Sequence, residues 1–150
     1  MISNAYAKKI LEVMFGSSKS IEAPTETYLG ICSSEPNAST GAVTGEPSAP
    51  SYARTVVSEI LEGGGEIKSK FGKATGGIIT NKEEIQMKIA RTAWGTMNYF
   101  FISESATGPA IIWGKLLNKE GVQGVTIGEE TVPVFYDGDL KASIDVELSQ

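Results

Sequence analysis

Carboxylates are the side chains with which this sequence is best supplied for chemistry, since it has 18 Asp and Glu residues and no His. Two adjacent pairs, Glu83-Glu84 and Glu129-Glu130, are candidates for an acid and a base. A glycosidase pair must flank one bond from facing elements roughly 5 to 10 Å apart, whereas sequence neighbours in turn-like segments point to opposite sides. We therefore expect no catalytic residues, and an enzyme with a non-local carboxylate pair is the least supported alternative.

Metal and nucleophile chemistry also lack their usual residues. Without His there is no Ser-His or Cys-His pair, and the single Cys32 leaves no thiolate cluster or intrachain disulfide. Asp137 and Asp139 offer oxygens to calcium, but a calcium loop supplies several more in a short run. The Asp137-Gly138 pair is more typical of a hairpin turn, so we expect no metal.

Aromatic residues offer a different chemistry, the stacking of sugar rings. Trp94, Trp113, Tyr99 and Phe100 would suit such a platform if their faces were exposed. Trp and Tyr at strand positions more often belong to the core, which is the interpretation we favour. A carbohydrate- or receptor-binding module using Trp94 and Trp113 is the alternative.

The composition is that of one globular domain spanning residues 1–150, with 41% hydrophobic and 21% charged residues. Its net charge of −5 repels phosphate backbones, so we expect no nucleic-acid partner. The longest apolar run is too short to cross a bilayer, so we expect no membrane partner. Lys8, Lys9 and Glu12 interrupt the N-terminal apolar stretch, which is untypical of a signal peptide.

The elements that would position a binding surface begin with a predicted amphipathic helix over residues 3–15, within an N-terminal helical segment 1–16. Ser3 is its expected N-cap, and Gly16 its expected end. Its apolar stripe recurs every three to four residues and comprises Ile2, Tyr6, Ile10 and Val13, widened by Leu11 and Met14. Surface helices normally cover their own core, which is the favoured interpretation, and docking on a partner through Ile2, Tyr6 and Ile10 is the alternative.

Residues 33–50 form a long segment rich in Pro, Ser and Gly, with almost no large apolar side chain. We expect no packed element here. Loops of this length are usually functional or mobile, so an arm lying on a neighbouring subunit through Pro36, Pro47 and Pro50 and a solvated surface loop are equally favoured. Asn37-Ala38-Ser39 matches the glycosylation pattern, but nothing else indicates a secretory route.

Short segments of alternating apolar and polar residues predict β-strands for most of the remaining chain. They lie within residues 25–33, 52–61, 85–89, 97–102, 110–117, 122–127, 132–136 and 140–148. About seven or eight strands at this spacing predict a mainly β fold, an antiparallel β-sandwich or flattened barrel with one N-terminal helix.

Several orientations follow from these patterns. In the strand over 97–102, Met97, Tyr99 and Phe101 are expected to oppose Asn98, Phe100 and Ile102, and Ala106-Thr107-Gly108 is expected to turn it into a hairpin with 110–117. Pro133 favours an edge position for the strand carrying Val132, Val134 and Tyr136. The last strand is expected to turn inward the side chains of Leu140, Ala142, Ile144, Val146 and Leu148.

Three stretches, taken in order, carry a family resemblance. The first runs from Tyr28 to Pro36, and the second is Tyr52-Ala53-Arg54, which follows the 33–50 loop. The third has these parts in order: Ile79-Thr80-Asn81, Ile85, Ala93-Trp94-Gly95-Thr96, Phe101-Ile102, Ala106-Thr107-Gly108, Ile112-Trp113-Gly114-Lys115-Leu116, and finally Phe135, Gly138 and Leu140. Together they resemble small siphophage virion proteins commonly labelled phage tail fiber proteins. The long 33–50 loop and Met87, where an aromatic is typical, depart from that pattern.

This resemblance implies a non-enzymatic virion component without a cofactor, assembled in the host bacterial cytoplasm. Its partners would be capsid or tail subunits, reached as a head decoration or head fibre or as a tail appendage. Because such lattices are symmetric, the protein would be lattice-bound or a homo-oligomer.

Overall fold

A computed structural model describes residues 1–17, 24–61 and 65–143. In this part of the chain there are one helix and eleven strands. They are α1 (Asn4–Met14), β1 (Glu26–Cys32), β2 (Thr55–Ile60), β3 (Ile67–Ser69), β4 (Ile78–Thr80), β5 (Ile85–Gln86), β6 (Gly95–Met97), β7 (Tyr99–Ser103), β8 (Ala110–Lys115), β9 (Val125–Ile127), β10 (Val134–Phe135) and β11 (Lys141–Ser143). The predicted mainly β fold with one N-terminal helix is confirmed, with more and shorter strands than predicted.

The largest sheet has five antiparallel strands in the order β3-β2-β1-β7-β8. Three further antiparallel pairs, β5–β10, β4–β11 and β6–β9, lie beside it. The described strands do not close into a barrel. The hairpin predicted around Ala106-Thr107-Gly108 is confirmed, since β7 pairs with β8.

Both faces of the five-stranded sheet carry apolar clusters where β1 crosses it, because β1 alternates between two of them. Leu29 and Ile31 belong to the larger cluster, which includes Trp94 and Phe135. Cys32 lies in a smaller cluster on the other face with Phe101, Ala110 and Trp113. Burial, with a smaller contribution from the charge of Glu46, raises the pKa of the Cys32 thiol to about 12. At neutral pH this thiol is therefore a protonated core group.

Two glycines of the sheet make room for aromatic rings on neighbouring strands. Gly30 pairs with Phe101, and a Cβ built on Gly30 would lie 2.2 Å from the Phe101 ring. Gly114 pairs with Phe100, where the corresponding distance is 2.8 Å. These are the glycines of two of the motifs that carry the resemblance, and their positions are fixed by the need to seat a ring over bare backbone.

The alternation predicted across residues 97–102 is confirmed within β7, where Tyr99 and Phe101 lie on the face opposite Phe100 and Ile102. It is wrong for Met97, because the alternation is interrupted at Asn98 between β6 and β7. The backbone N–H of Asn98 donates to Cys32 O (2.9 Å), and its side-chain amide donates to Ser33 O (2.8 Å). This turn passes the chain from the β6–β9 pair to the main sheet. As a result Met97 shares a cluster with Phe100, while Phe101 packs on the opposite face.

In the predicted strand over 132–136, the alternation is also shifted by one residue. Phe135 is buried, whereas Val132 and Tyr136, two of the apolar residues that defined the strand, are exposed. Phe135 pairs with the buried Ile85, and this pairing fixes the register of β10. The Asp137-Gly138-Asp139 segment is a turn, as Asp139 Oδ2 accepts from Tyr136 N at 2.7 Å. It is not the turn of a hairpin, because β10 and β11 belong to different pairs.

A buried amide fixes the path of the chain on either side of that turn. Asn81 has no exposed surface, and its Oδ1 accepts from Leu140 N (2.9 Å). Its Nδ2 donates to Tyr136 O (2.7 Å) and Glu83 O (3.0 Å). Of the predicted last strand, Leu140 is buried and Ala142 lies in β11. The predicted orientations of Ile144, Val146 and Leu148 fall outside the described residues.

Candidate docking surface

The 33–50 loop packs on its own chain instead of extending as an arm. Pro36 and Pro47 are buried, and Val43 packs against the smaller cluster. Gly41 O accepts from Ala110 N at 2.7 Å, which fastens the loop to β8. As predicted, the segment contains no helix or strand, but it packs against the sheet instead of lying free. Of the three prolines predicted to contact a partner, only Pro50 is exposed.

The other end of the loop is held by a buried ion pair. Arg54 donates through Nε and Nη2 to the two carboxylate oxygens of Glu46, at 2.9 and 2.8 Å. Its Nη1 donates to Ser103 Oγ, Ser105 O and Gly108 O. The guanidinium also lies 4.7 Å from the centre of the Phe101 ring. Arg54 thus ties the loop to β7 and to the β7–β8 turn.

The N-terminal segment is fastened to the free edge of β8. Ile2 forms a bridge with Ile112, Ser3 N donates to Ile111 O, and Trp113 N donates to Met1 O, each of these bonds being 2.8 Å long. Ser3 is the N-cap as predicted, and its Oγ accepts from Tyr6 N (3.3 Å). α1 therefore leaves the body of the protein from a fixed point.

Beyond that point one edge of the apolar side of α1 is open to solvent. No residue of α1 is buried. Tyr6 and Ile10 are half-buried, whereas Leu11, Met14 and Phe15 are 54%, 71% and 81% exposed. Within the described residues, the favoured expectation that the protein's own body covers the stripe therefore holds in part, since Tyr6, Ile10 and Val13 are half-buried while the edge of the stripe is uncovered. We call Leu11, Met14 and Phe15 the docking face.

The predicted partner-contacting residues of the helix lie next to this face rather than within it. Ile2 is half-buried by its bridge to β8, and Tyr6 lies beside Glu104. Burial, followed by the charge of Glu104, raises the pKa of the Tyr6 hydroxyl. The signal for the docking face was present in the sequence, because Leu11 and Met14 continue the apolar stripe on the side away from Tyr6.

The two tryptophans are core residues. Trp94 is 6% exposed and packs edge-on against Tyr52 at 5.2 Å, and Trp113 is 2% exposed. Their indole N–H groups donate to Ser51 Oγ (3.1 Å) and Glu35 Oε1 (3.3 Å). Neither ring presents a face on which a sugar could stack, so the alternative site at Trp94 and Trp113 is corrected.

A second exposed apolar area lies on another part of the described surface. It is a groove of about 920 Å³ whose lining includes β9 and β10. Phe100 and Leu116 are among its lining residues, together with the exposed Leu117, Val132 and Tyr136. Its exposed apolar side chains make it a second candidate contact surface.

The acidic pairs weighed as catalytic candidates are exposed and engaged in local contacts. Glu83 forms an ion pair with Lys70 at 2.8 Å, and this hydrogen bond and charge lower the pKa of Glu83. Glu130 forms one with Arg91 at 3.0 Å. Over residues 1–17, 24–61 and 65–143, no three potential metal ligands come together. None of the helical structure described has the length and apolar character needed to cross a bilayer.

A family model described as "Podophage GP4 fiber I protein gp80" matches residues 1–141. The match includes α1, the 33–50 loop, the strands β1 to β10 and the first residue of β11. No curated protein matches the sequence.

Proposed function

Because the chain belongs to the podophage GP4 fiber I protein gp80 family, a family of phage fibre proteins, we propose that it is a non-enzymatic structural protein that attaches to capsid or tail subunits through its docking face. The observation that carries this proposal is the exposed apolar end of α1, a helix whose N-terminus is anchored to β8. Contiguous exposed apolar surface of this kind marks protein contact sites.

The energetics favour attachment at many equivalent positions. Fully burying a side chain such as Leu, Met or Phe contributes about 1.5–3 kcal/mol, so the docking face offers several kcal/mol before the entropy of association is subtracted. One such contact is weak. Repetition on a symmetric capsid or tail lattice raises the overall affinity without any new contact.

Support for a non-enzymatic role comes from the residues that would have to do chemistry. The sequence has no His, the thiol of Cys32 is protonated in the core, and the candidate acids Glu83 and Glu130 are bound to Lys70 and Arg91 on the surface. We propose no cofactor and place the protein in the virion, assembled in the bacterial host.

Replacing Leu11 and Met14 by Ser should reduce co-sedimentation with purified virions at least tenfold. Both side chains are exposed, so the fold should be kept, and circular dichroism and thermal unfolding should match those of the wild type. The measurement mixes purified protein with virions lacking it and quantifies the pelleted fraction.

A matched control replaces Val132 and Tyr136, which are exposed apolar residues of the groove. This variant should pellet like the wild type. Equal pelleting of the wild type and the helix variant would refute attachment through α1.

Receptor binding is the second candidate function, and the groove with its exposed Tyr136 is the observation that favours it. If the groove variant stays on virions but lowers their adsorption to host cells, the groove contacts the receptor. The two functions are compatible, because α1 and the groove use different residues.

A further inference from the structure

The first N–H groups of any helix lack partners within the helix. In α1, carbonyl groups of the 33–50 loop accept hydrogen bonds from two of these N–H groups. Asn4 N donates to Ala38 O at 2.8 Å, and Ala5 N donates to Ser39 O at 3.1 Å. Two consecutive carbonyls of one turn therefore hold two consecutive amides of the helix. This contact constrains the direction of the helix axis as well as its starting point.

Those two carbonyls are themselves held in place by Asn37. Its Oδ1 accepts from Ser39 N (3.0 Å), Thr40 N (3.0 Å) and Thr40 Oγ1 (3.2 Å). Its backbone N–H donates to Ala42 O (2.9 Å), and its carbonyl accepts from Gly41 N (2.7 Å). Asn37 is exposed, so these bonds serve the shape of the turn and not the packing of the core.

The turn is fixed to the main sheet at one further point. Gly41 has a φ of +76°, a left-handed conformation that favours glycine, and a Cβ there would lie 2.1 Å from Ala110 O. The bond from Ala110 N to Gly41 O thus connects β8 to the turn, and the turn connects to α1. The same strand also anchors Ile2 and Ser3.

We propose that the turn over residues 37–42 is a platform that sets the direction in which α1 projects, and that Asn37 is a positioning residue for virion attachment. This inference rests on the proposed function, because it assigns to the turn the orientation of the docking face. In this role, the side-chain amide of Asn37 holds the backbone of the Asn37-Ala38-Ser39 segment in the shape that caps α1.

Hydrogen exchange of the α1 amides tests this platform directly. Asn37→Ala removes the acceptor of three hydrogen bonds and should speed exchange of the amides of Lys8 to Val13 at least tenfold, with amides of β1 and β7 unchanged. Asn37→Asp keeps a side-chain oxygen acceptor and should restore exchange to within about threefold of wild type.

The matched control is Asn118→Ala, in a turn whose hydrogen bonds involve neither α1 nor the 33–50 loop. Asn118 Oδ1 likewise accepts from two backbone amides, those of Glu120 (3.0 Å) and Val122 (2.9 Å). This variant should leave exchange in α1 unchanged. A second variant, Gly41→Ala, displaces the platform by a steric route and should loosen α1 as Asn37→Ala does.

Unchanged exchange in α1 for Asn37→Ala would overturn the inference, as would equal acceleration across α1, β1 and β7, because the effect would then be general destabilisation. Virion co-sedimentation is measured separately. Asn37→Ala should lower it at least fivefold although the docking face is intact. If wild-type protein does not bind virions while α1 still loosens in the variants, the proposed function fails and the platform stands.

Discussion

Replacing Arg54 by Met is expected to lower the free energy of unfolding by about 2–4 kcal/mol, because it removes the buried partner of an ion pair and leaves its acceptors unsatisfied, although Glu46, 27% exposed, can be hydrated. The side chain of Arg54 is 2% exposed and binds both carboxylate oxygens of Glu46. It also donates to Ser103 Oγ and to two carbonyls of the β7–β8 turn. Urea unfolding followed by tryptophan fluorescence measures the change.

Arg91 provides the control, since its ion pair with Glu130 is exposed on both sides. Arg91→Met should change the stability by less than about 1 kcal/mol, the usual range for surface pairs. The account of Arg54 as the tie between loop and sheet would be wrong if the two variants lost similar stability. Met is chosen because it keeps much of the apolar stem over Phe101.

Adding one methyl group at Gly30 is expected to cost about 1 kcal/mol. The Cβ would lie 2.2 Å from the ring of Phe101, which is completely buried. Overpacking a core costs about 1–3 kcal/mol, and the smaller backbone entropy of Ala returns roughly 0.5–1 kcal/mol. The steric effect therefore prevails, and thermal unfolding of Gly30→Ala should show a lower Tm.

Gly128→Ala is the matched substitution at an uncrowded position, where the nearest atom to a new Cβ is Thr131 Oγ1 at 3.9 Å. It should leave the Tm unchanged or slightly raised. A Gly30→Ala protein as stable as wild type would mean that Phe101 does not seat over bare backbone as described.

Several residues that carried the family resemblance have clear structural roles. Gly30 and Gly114 lie under phenylalanine rings, and Arg54 of the Tyr-Ala-Arg motif is the buried tie. A fibre-type phage family was predicted from these motifs, and the family match confirms it at that level. The attribution to siphophages is corrected, since the matched family is described as podophage.

Periodicity alone predicted a strand well where that strand pairs with the same two neighbouring strands along its length. The strand predicted within residues 25–33 is β1, and its alternating residues lie on two faces, with Leu29 opposite Cys32. Periodicity failed at Asn98, where side-chain hydrogen bonds interrupt a run that is apolar on both sides. It failed again at Phe135, because the pairing with Ile85 is a long-range contact that no local pattern reports.

The binding surface was predicted in part, for a related reason. The apolar stripe of α1 was visible, but which edge of it stays open depends on where Ile2 and Ser3 attach to β8. The burial of Pro36 and Pro47 depends on the ion pair and hydrogen bonds that draw the loop onto the sheet. The composition of the loop predicts that it is polar, but it does not predict which of its carbonyl groups accept hydrogen bonds from a helix distant in sequence.

The most direct test of attachment through α1 is photo-crosslinking in assembled virions. A photoreactive residue is placed at Met14 of the docking face or, in a separate protein, at Tyr136 of the groove, both of which are exposed. Cross-linked peptides are then identified by mass spectrometry. The account predicts cross-links from position 14 to another virion protein and none to the virion from position 136. Cross-links from position 136 alone would contradict it.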